Sequence, residues 1–501
     1  MPINKGLQAA LFLLPAFYIL HNYNQLPGFI EFRQVINAAI LFYIPLLVCY
    51  YGMIRLRISP QKTTAILLFI SFLVLFFGTL QKFISQIPLI SILSDFLVFT
   101  LLCIFITVVF VKKVLKYKDI RPGLSGPIGI IVIVLFVIEI GIYVGNMSLL
   151  KRNKNLIYPE KPLSSHYLSN NRPDSCKPDI YFLVFDAYTN NATLKAVWNF
   201  DNSQITNWLG EKDFHIGQNT HSNYNFTVFS ISSTFNMNFI DPGKGSNGGV
   251  TQNVLQANKS LSDNETFSIL QKENYRIYFL APFSNIIQDN GLGGFFDYLS
   301  EGLITRQTFP GCFHGSSFFA SLKKKFSASV DKDEYYTLLK SKYENTINTV
   351  NKIEATTDST INRRPHFVYG HVLVPHDPPL FDSRGKFINS EEAKTATPYN
   401  TYVDQIKFAN VLIRELVSYI QKHNKPNTLI IIEGDHGFRF YRTDSIPTFA
   451  FKNFNAIYFP DKNYGSLYDT ISPVNDFRII FDQYFGQHFP LIKDSSTIVK
   501  E

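Results

Sequence analysis

The sequence predicts a multi-pass α-helical membrane domain of five spans followed by an extracytoplasmic α/β domain with a mainly parallel sheet. Three observations support this architecture. Apolar residues concentrate in the first 150 of 501 positions. From Asp179 onward, short apolar strands alternate with helical stretches, the pattern of a sheet covered on both faces. Between the two lies a polar segment carrying Pro159, Pro162, Pro173 and Pro178, which reads as a linker. The expected boundaries are a transmembrane domain at 1–147, a juxtamembrane linker at 148–178 and the outer domain at 179–501.

The five apolar runs are Leu7–Tyr23, Val35–Ile54, Thr64–Leu80, Ile90–Val111 and Gly126–Val144. Each has the length a helix needs to cross a hydrocarbon layer of ~30 Å. Arg55, Arg57 and Lys62 lie between the second and third runs, and Lys112, Lys113, Lys116, Lys118 and Arg121 between the fourth and fifth. The remaining short loops hold only Arg33 and Lys82 as bases. Basic residues mark the cytoplasmic side, so the N terminus is expected inside and everything after Asn146 outside. Lys151, Arg152 and Lys154 run against this bias, but a long domain crosses regardless of such charges. The first run lacks a small-residue cleavage pattern and reads as retained. Asp95 and Glu139 fall within the runs and are functional candidates as intramembrane acids. Few other polar groups and no repeat argue against a transporter. Cys49 and Cys103 read as packing residues, whereas Cys176 and Cys312 fall in the outer part, where a disulfide could persist; two free thiols is the simpler reading.

In the outer domain the expected strands are Ile180–Phe185, Tyr275–Ala281, His366–Val372, Thr428–Ile432 and Ala456–Phe459. Helical periodicity covers Glu334–Ile353 and Tyr399–His423, the latter with Val403, Ile406, Val411, Leu412, Leu416 and Ile420 on one broad face. In parallel α/β sheets, ligands gather at the carboxyl ends of the strands. There the first strand runs into Asp186, the third into His376 and Asp377, and the fourth into Asp435, His436 and Gly437. One aspartate after a strand is an ordinary turn or cap residue. Three strands ending in acids and imidazoles form a constellation suited to a divalent metal. Such an ion still needs a charged oxygen to complete its shell. The segment HSNYNFTVFSISSTFNM turns helical at Thr227, whose hydroxyl would stand at the positive end of a helix. Ser230, Ser232 and Ser233 are the alternatives. Gly437 is read as the residue that lets the chain turn away from the site.

Taken in order, VFDAYT, NFTVFS, a PH-x-P-P segment and a late DHG resemble the alkaline phosphatase superfamily. With five preceding spans, the layout is similar to lipoteichoic acid synthases and lipid A phosphoethanolamine transferases. The resemblance implies an alkaline-phosphatase-like fold and one divalent metal (Mn, Mg or Zn) held by Asp186, Thr227, Asp435 and His436. It further implies that His376 stabilises or protonates a transferring oxygen. His314 in GCFHGSSFF matches a second histidine of lipoteichoic acid synthases, and Arg439 and Arg442, close behind the metal pair, could contact phosphate. There are departures from the pattern. Asp186 replaces the glutamate of the nearest membrane groups. Phe381 stands where two-metal members place the histidine of Asp-x-x-x-His, and none of the four cysteines begins the Cys-x-Pro-x-Arg segment of formylglycine sulfatases.

The expected activity is transfer of a phospholipid headgroup phosphate, of phosphoethanolamine or phosphoglycerol type, through a phosphothreonine to a cell-envelope acceptor. A hydrolase using water shares the first half-reaction, and an inactive membrane-anchored binding protein is the non-enzymatic alternative. The implied partners are a phospholipid donor, a surface glycan or lipid acceptor and the membrane, with no nucleic acid. The implied location is a bacterial cytoplasmic membrane with the catalytic domain outside. The sequon Asn225-Phe226-Thr227 matters only in a chain exposed to glycosylation.

Overall fold

The computed structural model describes residues 5–25, 32–117, 122–152, 163, 167–168, 173–240, 257–258, 260–261, 264–281, 284–288, 304–305, 307–314, 316, 334–357, 364–377, 379, 381–388, 392, 398–439 and 448–499. The chain divides into two compact units, one of residues 1–154 and 297–332, the other of 155–296 and 333–501.

The first unit is helical, with α1 (Lys5–Gln25), α2 (Phe32–Arg55), α3 (Pro60–Leu75), α4 (Phe77–Ser85), α5 (Phe96–Lys116) and α6 (Pro122–Arg152). Among the described residues, three segments are long and apolar enough to cross a membrane: Phe32–Arg55, Phe96–Lys116 and Pro127–Asn146. The α3–α4 pair makes a fourth if its 60° bend is one broken span. The predicted run Thr64–Leu80 is therefore interrupted, because the chain leaves helical geometry at Phe76. The run predicted from Ile90 starts later, since Pro88–Ser94 is a 3-10 turn and α5 begins after Asp95. The first run forms α1, which packs along α6 and against α3 and buries Ala10, Leu11 and Tyr18. By contrast Val48, Leu101, Phe105 and Ile130 are each more than 60% exposed, as lipid-facing side chains are.

The two acids of the predicted apolar runs have structural partners. Asp95 caps α5, its Oδ1 accepting from Leu97 N at 3.0 Å and Val98 N at 3.2 Å, which satisfies orphan donors of the first turn. Glu139 is buried on α6, 2.7 Å from His21 Nδ1, and accepts from Asn24 Nδ2 at 2.7 Å. The helix Phe309–His314 also belongs to this unit and packs on α3 and α4. There Phe309 meets Phe77 edge-on and stacks with Phe96, and Gly78 N donates to Gln307 O at 2.8 Å.

The second unit is built on a seven-stranded sheet of order β2-β7-β6-β1-β5-β3-β4. The strands are β1 (Asp179–Phe185), β2 (His215–Ile216), β3 (Arg276–Ala281), β4 (Ser284–Gln288), β5 (His366–Val372), β6 (Thr428–Glu433) and β7 (Asn455–Tyr458). The four central strands β6-β1-β5-β3 are parallel, whereas β2, β7 and β4 pair antiparallel. The sheet is thus mixed rather than mainly parallel. Ala456–Phe459 forms a strand in the expected place with the opposite direction, because local apolar pattern carries no information on direction. Two strands escaped prediction: β2 is only two residues long, and β4 follows β3 almost at once.

Alternation divides each central strand between two cores. Ile180, Phe182 and Val184 face one side with Phe229, Phe235 and Phe477. Tyr181, Leu183 and Phe185 face the other with Ile406, Leu412, Leu416 and Ile420 of the helix Pro398–His423. Val411 of that helix is exposed, and Tyr402, Ala409, Ile413 and Val417 complete the buried stripe instead, as a 3.6-residue period requires. Cys49, Cys103, Cys176 and Cys312 form no disulfide among the described residues.

Candidate active site

Register brings the strand exits together. Val184 of β1 lies opposite His371 of β5 and Glu433 of β6, so the residues that follow emerge side by side. Asp186 N donates to Val372 O at 3.0 Å. Ala187 then adopts a left-handed φ of 63°, a conformation costing about 1–2 kcal/mol in a non-glycine residue. Its N–H donates to Asp435 Oδ1 at 2.9 Å.

Asp186, Asp435 and His436 are buried and offer ligand atoms within 4.8 Å of one another. Asp435 Oδ1 is engaged by Ala187 N and by His436 N at 3.0 Å. Asp435 Oδ2 and Asp186 Oδ1 are buried without a hydrogen-bond partner, the state in which a buried carboxylate oxygen is costly unless a cation or donor meets it. His436 Nδ1 lies 2.7 Å from Gly437 O; donating there fixes the proton on Nδ1 and leaves the Nε2 lone pair for a ligand. That Nε2 is 3.6 Å from Asp186 Oδ1 and 3.6 Å from Asp435 Oδ2. Burial lowers the His436 pKa, with Arg439 acting in the same direction and the two carboxylates opposing. Burial alone would raise the Asp186 pKa, but His376, His371 and His436 around it hold the carboxyl below its ordinary range. Two carboxylate oxygens, an imidazole lone pair and an adjacent hydroxyl fit a divalent cation.

The hydroxyl is that of Thr227. It is the first residue of α7 (Thr227–Asn236), with Phe226 as its cap residue and no side-chain cap bond. Thr227 Oγ1 lies 3.4 Å from His436 Nε2. The alternatives point elsewhere: Ser230 donates to Tyr224 O, Ser232 to Ala257 O and Ser233 to Ser230 O. The preceding loop is braced by the C-terminal segment, Asn225 exchanging hydrogen bonds with Val499 and Asn223 bonding Ser495 O. Asn225 is buried, which withdraws the sequon from the surface.

His376 Nε2 stands 4.0 Å from Asp186 Oδ1, and its ring faces His436 edge-on at 6.5 Å. A small cleft beside it is lined by His376, Asp377, Thr401, Tyr402, Gln405 and Phe438. Arg439 lies over Phe226 at 4.7 Å and donates to Asn225 O at 3.3 Å, which sets its charge next to the start of α7. His314 belongs to the helical unit, its side chain outside the described residues, as is Arg442.

Sequence reading missed His371. Fully buried on β5, its Nε2 lies 3.2 Å from Asp186 Oδ2 and its Nδ1 2.7 Å from Tyr369 OH. The available signal was a histidine one residue before the exit of a strand that carries Phe367, Val368 and Tyr369. Gly437 also plays a different part from the expected turn. It has no left-handed φ; a Cβ there would stand 2.1 Å from Phe449 O, so glycine serves close approach.

Comparison with known proteins follows the same lines. The sulfatase family profile matches residues 220–473, just over half of the chain, and so includes Thr227, His371, His376, Asp435 and His436. A search of curated proteins finds no match. Among solved structures, the chain is similar to the integral membrane lipooligosaccharide phosphoethanolamine transferase A of Neisseria meningitidis. Identity is 12% and the TM-score 0.39, over 94% of this chain and 95% of that one. It is also similar to the C-terminal periplasmic domain of EcEptC from Escherichia coli in complex with Zn, at 10% identity and TM-score 0.40, over 66% and 91%. By its domain match the chain belongs to the sulfatase family, a branch of the alkaline phosphatase superfamily of transferases and hydrolases.

Proposed function

We propose that the protein transfers a phospholipid headgroup phosphate, of phosphoethanolamine or phosphoglycerol type, to a cell-envelope acceptor through a phosphothreonine at Thr227. The observation that carries this is the Thr227 hydroxyl at a helix start, 3.4 Å from His436 Nε2 and beside two carboxylates with unpartnered oxygens. Asp186, Asp435, His436 and Thr227 would hold one divalent cation (Mn, Mg or Zn), which when bound neutralises phosphate charge and lowers the hydroxyl pKa. Thr227 Oγ attacks phosphorus, releasing its proton to solvent; the Oγ–P bond forms as the ester bond to diacylglycerol breaks. His376, at the mouth of the site, protonates the departing alkoxide. In the second half-reaction an acceptor hydroxyl gives its proton to His376 and bonds to phosphorus as the Oγ–P bond breaks, and Thr227 Oγ regains its proton from solvent. The N terminus of α7 and the Arg439 guanidinium favour the anionic phosphoryl group.

The apolar helical unit supports a donor drawn from the bilayer. We further infer five spans, an inside N terminus and an outside catalytic domain in a bacterial cytoplasmic membrane, a topology that the basic loops of the sequence support. Incubating the purified full chain with headgroup-labelled phosphatidylethanolamine or phosphatidylglycerol tests the activity. Label on Thr227 and on an added glycan or lipid acceptor is expected. Release of the label solely as a free phosphate ester, with every acceptor unlabelled, would establish the hydrolase instead.

A further inference from the structure

The helix that presents Thr227 is entered without a capping side chain, since its cap residue is Phe226, extended at φ −140° and ψ 125°. A polar side chain ordinarily fixes such an entry. Here residues 494–499 hold it from outside the helix. Asp494 anchors them: its Oδ1 accepts from Ser472 N at 3.1 Å, Ser472 Oγ at 2.6 Å and Tyr468 OH at 3.0 Å. The chain then runs alongside the 222–225 loop, with Tyr224 and Thr497 paired as a parallel bridge. Asn223 Nδ2 donates to Ser495 O at 2.9 Å, Ser496 Oγ to Ser222 O at 2.7 Å and Thr497 N to Asn223 O at 2.8 Å. Asn225 extends this ladder with its side chain. Its Oδ1 accepts from Val499 N at 2.7 Å, and its Nδ2 donates to Val499 O at 3.2 Å. Ser222, Asn223 and Asn225 are buried, and Asn225 O accepts from Arg439 at 3.3 Å.

We propose that residues 494–499 are a positioning strap for the nucleophile, acting through Asn225. The side chain of Asn225 ties the residue two before Thr227 to the strap, and its carbonyl ties Arg439 to the same point. The strap therefore sets where the Thr227 hydroxyl and the guanidinium stand relative to each other. Asp186 and Asp435 are held by the strand ends instead. A displacement of ~1 Å at an attacking atom can cost about 10²-fold in rate. The strap joins largely by main-chain pairing, the mode in which an extended peptide adds to an exposed edge, so its residues can also be supplied in trans. The turnover expected here rests on the nucleophilic role of Thr227 proposed above, whereas the bracing of the loop does not.

The test removes residues 495–501 from the detergent-solubilised chain, keeping Asp494, and adds them back as a peptide at about millimolar concentration, the level of a tethered segment. Headgroup release from labelled donor lipid and amide hydrogen exchange of residues 222–230 are followed together, with circular dichroism confirming the fold. Truncation should lower kcat about 10–100-fold at unchanged donor KM and speed the exchange, and the peptide should restore both. A peptide carrying Thr497→Pro, which lacks the N–H given to Asn223 O, should restore neither. Thr497→Pro in the full chain should reproduce the loss, and it carries the test where the truncated chain does not fold. Ile498→Ala, at an exposed position, should leave every readout at wild type. The proposal is overturned if truncation leaves turnover at wild type, or if the peptide restores exchange protection without turnover. If wild type itself releases no headgroup, the transferase reading fails and exchange alone decides. Faster exchange that the peptide reverses then upholds the strap as the brace of Thr227, and unchanged exchange overturns it.

Discussion

Gly437→Ala tests how tightly the active-site strand end is enclosed. A methyl group at this position would stand 2.1 Å from Phe449 O, 2.8 Å from Lys452 O and 3.1 Å from Lys452 N. All three are backbone atoms, so no side chain can swing aside. The Gly437 N–H donates to Ala450 O at 2.7 Å, and retreat of the 449–452 segment would break that bond. Relief therefore needs a backbone shift of roughly 1 Å, with an overpacking cost of about 1–3 kcal/mol. Because Gly437 O also orients the His436 ring, the shift reaches the ligand atom itself, and a displacement of ~1 Å can lower turnover about 10²-fold. Donor-lipid turnover, divalent-ion binding and thermal unfolding should all decline together. Gly465→Ala is the control, since its nearest neighbour would be Asn463 Oδ1 at 3.5 Å, and all three readouts should stay at wild type. Wild-type turnover and an unchanged unfolding temperature for Gly437→Ala would refute the argument from close approach.

Other perturbations separate the roles of single groups. Thr227→Ala should lower headgroup release at least about 10³-fold while Thr227→Ser keeps measurable turnover, as followed with labelled lipid; equal activity in the two would remove the nucleophile. His371→Phe takes away the bond to Asp186 Oδ2 and should weaken divalent-ion binding about 10–100-fold, with partial recovery in His371→Gln, both read by calorimetric titration. His366 is buried against Tyr181, and burial holds its pKa below the usual histidine range although Asp179 pulls it up. The unfolded chain binds that proton near pH ~6.5, whereas the folded chain does so only at lower pH. Below about pH 6.5 the unfolded state therefore takes up more protons and stability falls. Thermal unfolding between about pH 5 and 7 should show this decline in wild type and a flatter profile in His366→Gln.

Much of the outer unit was legible along the chain. β1, β5 and β6 lie within one residue of their predicted ends, because short apolar runs bounded by polar residues encode buried strands locally. Asp186, Asp435 and His436 stood out for the same reason, as polar residues that interrupt such runs where a parallel sheet collects its ligands. Local pattern says nothing of strand direction or bending, hence the antiparallel β7 and the break at Phe76.

By itself, then, the sequence determined the apolar helical segment, the strands and the polar residues at their exits, all properties of neighbours in the chain. Tertiary structure alone decided which hydroxyl joins them. Thr227 and His436 are 209 positions apart, and the rival serines are withdrawn by carbonyls that only packing brings near. It likewise placed His371 against Asp186 across 185 positions and assigned the helix Phe309–His314 to the other unit. Those contacts arise from register and the crossing of separate elements, which residue spacing does not record.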